Sequence, residues 1–265
     1  MTAPADWPDT EHRVRTALVR DVPASYVRCL KRPGLLDPLD VTVARRQHLQ
    51  YVEALDDCGV SVTVVPSEDG VPDAPFIEDT AVILPGRHAV LTRSAVSSRA
   101  AEAEGVRSFL ERHCAVEVMP AGATLDGGDV LWVGGDLYVG ISERTNNSGL
   151  AFLERVARLA ELTVRPVPIQ GALHLKSCCT YLGRGLVLHA KGKVRSEIFR
   201  DMRLVCAPEA DGANVLPVNG KIIVPAEAPR TRELLEDQGF ETLSVPLGEF
   251  LKGNGGPTCL SLRIS

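Results

Sequence analysis

Ala81-Val82-Ile83-Leu84-Pro85-Gly86-Arg87-His88-Ala89-Val90-Leu91-Thr92 reads as two short apolar strands joined by a glycine-centred turn. A helix is expected next, near residues 97–112, with Ala103, Val106 and Leu110 on one face, and residues 116–119 supply a third strand. The same phrase of strand, turn, strand, helix, strand then recurs. Its second copy takes strands at 130–133, 137–141 and 163–169 around a helix at about 147–161. The third takes 180–182, 186–189 and 204–206 with a short helix near 196–200. In the fourth, strands 214–218, 221–224 and 242–245 enclose a helix from Pro229 to Gly239. Proline at a helix start and glycine just past its end follow the usual asymmetry, and Asn219-Gly220 is a strong hairpin signal.

A fifth copy is split between the chain's two ends: residues 259–264 are expected to pair with 14–19, followed by a helix at 41–57 and a strand at 62–65. Pairing the last strand with the first removes two free sheet edges. An ordinary doubly wound sheet has one strand per helix, whereas here a hairpin precedes each helix. The expected fold is therefore α/β, a closed propeller of five ββαβ units around a central cavity, with residues 1–265 as one domain. A repeat sets equivalent positions at equivalent points about an axis, so Asp79, Asp126, His174 and Cys259, each just ahead of a first strand, should converge.

The 265 residues are 45% hydrophobic and 24% charged, ordinary for a soluble globular protein, and the net charge of -5 with no Lys/Arg-rich run argues against a nucleic-acid surface. Met1 to Trp7 lacks a basic region followed by an apolar run, so no signal peptide is read, and no apolar stretch approaches the roughly 20 residues that span a bilayer. Seven cysteines without a CxxC pair read as reduced thiols of a cytoplasmic protein rather than a disulfide framework or zinc site, with Cys178 and Cys179 on opposite faces of a strand.

Taken singly, the chemical residues have plain alternatives. A lone cysteine is more often a small buried hydrophobe, Asp126-Gly127-Gly128-Asp129 also suits a solvated turn, and Glu78-Asp79 a surface loop. Arg99 and Arg144 also read as helix-surface charges. His12, His48, His88, His113 and His189 are read as structural or solvated. Taken together, a thiol, an imidazole and carboxylates in one pocket form a nucleophile–base set.

Phe76-Ile77-Glu78-Asp79, Thr124-Leu125-Asp126-Gly127-Gly128-Asp129-Val130, Ser142-Glu143-Arg144-Thr145-Asn146, Leu173-His174-Leu175-Lys176-Ser177 and Thr258-Cys259 together resemble dimethylarginine dimethylaminohydrolases. These belong to the guanidino-group-modifying superfamily with the pentein fold. The resemblance covers nearly the whole chain, and departs in Arg93-Ser94-Ala95, where the family often has Arg-Pro-Gly, and over 25–37.

The resemblance implies Cys259 as nucleophile, His174 as acid/base and Asp126 as the carboxylate orienting it. It implies Asp73, Glu78 and Asp79 at the guanidinium, Arg99 and Arg144 at the substrate α-carboxylate, and Leu30 and Gly253 at its amino-acid end. The reaction implied is hydrolysis of asymmetric dimethylarginine or monomethylarginine to citrulline plus dimethylamine or methylamine through a covalent thiouronium, without metal or cofactor. The expected partner is the small-molecule substrate, without nucleic acid or membrane, for a monomer or homodimer. Arginine deiminase, amidinotransferase and a non-catalytic arginine-binding propeller are the alternatives, with a cysteine peptidase more distant.

Overall fold

A computed structural model of the protein describes residues 13–34 and 37–265; Met1 to Trp7 and His12 lie outside them. Among the described residues there are five three-stranded sheets. They comprise Ala81–Leu84, His88–Leu91 and Ala115–Val118; Val130–Val133, Asp136–Ile141 and Thr163–Pro168; Cys179–Tyr181, Leu186–His189 and Arg203–Cys206; Leu216–Val218, Lys221–Pro225 and Glu241–Val245; and Leu262–Ile264, Thr16–Arg20 and Ser61–Val65. In every sheet the middle strand runs antiparallel to the first and parallel to the third. Register repeats as well. Ile83, Trp132, Tyr181, Pro217 and Arg263 each lie opposite the second residue of the middle strand, namely Ala89, Leu137, Val187, Ile222 and Ala17.

Those five side chains are half-buried and line one cavity of about 520 Å³, which the first strands of all five sheets surround. This is the propeller axis. The split blade forms as expected, with Thr16 opposite Ile264. Hairpins join the first two strands of four blades, with two-residue loops at 134–135 and 219–220 and three-residue loops at 85–87 and 183–185. Asn219 and Gly220 both adopt positive φ (45° and 94°), as a primed turn between right-twisted strands demands.

Parallel pairing of second and third strands needs a crossover, and helices supply most of them. Val41–Asp57 starts where Asp40 Oδ1 accepts the Thr42 and Val43 N–H groups, and Asn147–Leu159 where Asn146 accepts from Gly149. The apolar face of Asn147–Leu159 (Leu153, Val156, Ala157) packs on Leu137 and Val139 of its own blade. Each such large side chain contributes about 1.5–3 kcal/mol. Just ahead of every first strand the chain makes a 3-10 turn: Ile77–Thr80, Gly127–Asp129, Leu175–Ser177, Ala210–Ala213 and Pro257–Leu260.

Several local expectations are corrected. The helix expected at 97–112 breaks into a turn, Ser97–Arg99, and a short helix, Glu104–Leu110, because Arg99 is drawn inward to Asp79 and Glu102. Cys259 lies within a 3-10 turn, and its strand starts only at Leu262. Cys178 likewise precedes its strand, so both sulfurs of the Cys178-Cys179 pair reach the Leu175 carbonyl instead of opposite faces. His189 ends its strand as expected. His48 is buried against Phe250, and burial holds its imidazole neutral, down to about 4.

Candidate active site

Asp79, Asp126, His174 and Cys259 all sit in or beside the 3-10 turns, which aim them at the axis. The repeat holds a fifth member that the sequence reading missed. Asn214 follows the turn Ala210–Ala213; its Nδ2 donates to Cys259 Sγ at 3.8 Å and its Oδ1 accepts the Thr258 N–H at 3.2 Å. Alignment of the fourth blade with the others would have found it.

The acidic motifs are buried chemistry, not surface turns: Asp126 and Asp129 are 0% exposed and Glu78 2%. Asp126 Oδ2 meets His174 Nε2 at 3.1 Å, while Nδ1 lies 3.8 Å from Asp79 Oδ1. Asp129 plays a supporting part. It accepts from Ser142 Oγ, from Thr145 Oγ1 at 2.7 Å and from the Leu175 N–H at 3.1 Å, tying down the turn that follows His174.

The two glycines between these aspartates are demanded by closeness rather than by unusual φ. A Cβ on Gly127 would lie 2.1 Å from the Glu78 carbonyl oxygen. One on Gly128 would lie 2.7 Å from both Asp79 Oδ1 and His174 Nδ1. The Gly128 N–H donates to Asp79 Oδ1 at 3.0 Å.

Electrostatics sort these groups into distinct states. Burial disfavours the imidazolium of His174, but Asp79, Asp126 and Asp129 outweigh it and push the group up to about 9. Burial also opposes ionisation of Asp79, yet His174 and Arg99 hold that carboxyl down at about 2. Burial, then Glu78 and Asp79, push the Cys259 thiol up to about 12. At neutral pH the resting pair is thiol and imidazolium, not thiolate and imidazolium.

Leu30, Asp73, Asp79, Arg99, Arg144, His174, Gly253 and Cys259 border one small cavity of about 20 Å³, room for about one water. Leu30 is 40% exposed, and its N–H donates to Asp73 Oδ1 at 3.0 Å, latching the loop over the site. Burial raises Asp73 above the usual carboxylate range. A Cβ on Gly253 would lie 2.8 Å from the Phe76 ring, so the backbone reaches the cavity only without a side chain.

The arginines divide. Among the described residues the Arg144 guanidinium pairs with Asp126 Oδ2 alone, at 3.4 Å, and Arg144 lines the cavity. Arg99 donates to Asp79 at 2.7 Å, to both Glu102 oxygens and to the Phe76 carbonyl, which engages most of its fork. Neither is a helix-surface charge.

Glu78 is the member set apart. It borders the larger channel, and its Oε1 accepts from Lys176 Nζ at 2.7 Å and Arg263 Nη2 at 2.6 Å; its buried Oε2 has no hydrogen-bond partner among the described residues. That ion cluster lies on the lining of the 520 Å³ channel, whereas Cys259, His174 and Asp79 line the small cavity. Asp79, Asp126 and His174 bring ligand atoms within 4.8 Å of one another, a spacing that suits a divalent ion. Arg99, Arg144 and the imidazolium already neutralise those carboxylates, so a metal would have to displace internal cations.

A family profile described as N,N dimethylarginine dimethylhydrolase, eukaryotic, matches residues 40–224. The N(G),N(G)-dimethylarginine dimethylaminohydrolase of Pseudomonas aeruginosa is 34% identical over 84% of this chain and 89% of its own length. That of Streptomyces coelicolor is 38% identical over 86% and 88%. A cysteine-to-serine variant of the Pseudomonas enzyme complexed with citrulline superposes with a TM-score of 0.91 at 32% identity, over 95% of this chain and 100% of that one. The N-terminal domain of a cyanobacterial arginine dihydrolase superposes at 0.84 and 23% identity, which attests the fold alone. By sequence and by structure, the chain belongs to the dimethylarginine dimethylaminohydrolase family, with its pentein fold of five ββαβ blades.

Proposed function

We propose that this protein hydrolyses Nω-methylated arginines to citrulline, releasing dimethylamine or methylamine, with residues 1–265 as one catalytic domain. The observation that carries this reading is a buried thiol, an imidazolium and guanidinium-ready carboxylates around one cavity, in a chain that superposes on a relative's citrulline complex.

A guanidinium is planar and permanently cationic, and carboxylates grip it bidentately. Asp79, held ionised, is placed for this, with Glu78 Oε2 as an unclaimed acceptor and Asp73 at the rim. Arg144 presents its fork to the α-carboxylate. Arg99 braces Asp79 and offers its remaining N–H to the same end, while Leu30 and the backbone at Gly253 flank it. With about one water's volume free, substrate enters when the loop latched by Leu30 and Asp73 lifts.

The substrate's cation does what the resting site does not: it offsets the carboxylates that keep Cys259 protonated. The thiol's proton passes to solvent, and the thiolate attacks the guanidino carbon. With His174 Nε2 on Asp126, Nδ1 is the nitrogen left to protonate the departing amine, and a planar thiouronium stays on sulfur. Neutral His174 next takes a proton from water, whose oxygen adds to the same carbon, and the C–S bond breaks as the adduct's hydroxyl proton returns to sulfur, giving citrulline and the resting thiol.

No described helix is long and apolar enough to cross a membrane, and all seven cysteines are free. The free thiols support a cytoplasmic setting, and the reading is completed by a small-molecule substrate, a monomer or homodimer, and no nucleic-acid partner. The test is citrulline release from asymmetric dimethylarginine, monomethylarginine and arginine in parallel, with glycine as a trial amidino acceptor. Methylated substrates should win and Cys259→Ser should be inert. Preference for arginine would assign a deiminase, transfer to glycine an amidinotransferase, and full activity of the serine variant would exclude the covalent route.

A further inference from the structure

Four of the five equivalent positions that line the channel carry Ile83, Trp132, Tyr181 and Pro217. The fifth carries a cation, Arg263, and it does so on the strand that follows the nucleophile. Burial disfavours a charge there, so the position calls for a compensating task.

Its contacts name that task. Arg263 Nη1 donates to the Thr258 carbonyl at 3.0 Å, the Ser261 carbonyl at 2.8 Å and Ser261 Oγ at 3.0 Å. Those residues flank Cys259 on either side. Its Nη2 donates to Glu78 Oε1 at 2.6 Å, where Lys176 also lands, so that Oε2 is the oxygen left over. Tyr51 closes the clamp, its hydroxyl 2.9 Å from the Pro257 carbonyl and 2.8 Å from Ser261 Oγ.

We propose that Arg263 is a positioning residue, riveting the turn that carries Cys259 to the carboxylate of Glu78 and thereby fixing the sulfur's place in the site while leaving Glu78 Oε2 unclaimed. This deepens the proposed function and rests on it. A guanidinium suits the role because its rigid fork spans several acceptors at once, which a lysine ammonium on a flexible stem does not. It also supplies positive charge beside a sulfur that otherwise faces Glu78, Asp79, His174 and Tyr51.

The test compares Arg263→Gln and Arg263→Lys with wild type in two assays. One is the rate of Cys259 alkylation by iodoacetamide from pH 7 to 9.5, followed on the Cys259 peptide by mass spectrometry. The other is kcat on dimethylarginine below the melting temperature. The glutamine variant should alkylate about tenfold more slowly at pH 8.5, one pKa unit's worth, and lose at least about tenfold in kcat. The lysine variant should recover most of the alkylation rate but not kcat, since it returns the charge without the fork. Wild-type alkylation and kcat in Arg263→Gln would overturn the proposal, as would a lowered melting temperature with both assays unchanged. Should Arg263→Gln fail to fold, wild-type kcat in Arg263→Lys overturns it by itself. The alkylation profile needs no substrate, so an inactive wild type would refute the proposed function while leaving the role of Arg263 to be decided.

Discussion

Replacing Asp79 with asparagine isolates what holds the imidazole protonated. The shape is kept, an amide oxygen can still accept the Gly128 N–H, and Arg99 retains Glu102. What disappears is one buried negative charge 3.8 Å from His174 Nδ1. At an effective dielectric near 20, that separation corresponds to about 4 kcal/mol, or about three pKa units as an upper bound. Wild-type His174, at about 9, should therefore drop toward about 6 in the variant, since Asp126 and Asp129 remain. The direct assay is an NMR titration of the imidazole C–H signals in ring-labelled protein, with the His174 signal assigned by its absence in His174→Gln. The wild-type signal should stay in the charged form through pH 8, while the variant's titrates below pH 7.5. Activity should follow, with kcat of Asp79→Asn falling steeply on the alkaline side where a proton donor for the leaving amine is gone. A variant whose His174 still titrates near 9 would refute the reasoning and assign the shift to Asp126 and Asp129.

Gly128→Ala should cost at least about 100-fold in kcat/KM with the fold retained by circular dichroism, because its methyl would press on Asp79 Oδ1 and His174 Nδ1 together. Arg144→Gln should raise KM about 10- to 100-fold with a smaller effect on kcat, the worth of a charged hydrogen-bond pair to the substrate carboxylate. Steady-state kinetics on methylated arginine check both. Thermal melts should show the contribution of His174 to stability complete below pH 6.5 and draining as pH rises toward about 9, because the folded state holds a proton there that the unfolded chain releases. His174→Gln should flatten that slope, and an equally steep decline in this variant would reject the linkage.

Much of this molecule was legible in one dimension. Hairpins ahead of helices, Asn219-Gly220 with its paired positive φ, and the split fifth blade are all local or repeated signals, and register follows from the two-residue period of the strands. Where reading failed, a distant partner overrode local preference. Arg99 left a helical pattern for Asp79, twenty positions earlier, and Cys259 stopped short of its strand to make the turn on which Asn214 and Arg263 converge.

The linear chain by itself determined the blade, its fivefold repetition and the types of reactive side chain, because apolar periodicity, turn chemistry and motif spacing act between near neighbours. Only the folded ring decided which charges meet. Lys176 and Arg263 converge on Glu78 across 98 and 185 positions, and His174 draws its proton affinity from carboxylates in two other blades. Protonation states depend on burial and on charges a few ångströms away, and those distances do not exist until the blades close around the axis.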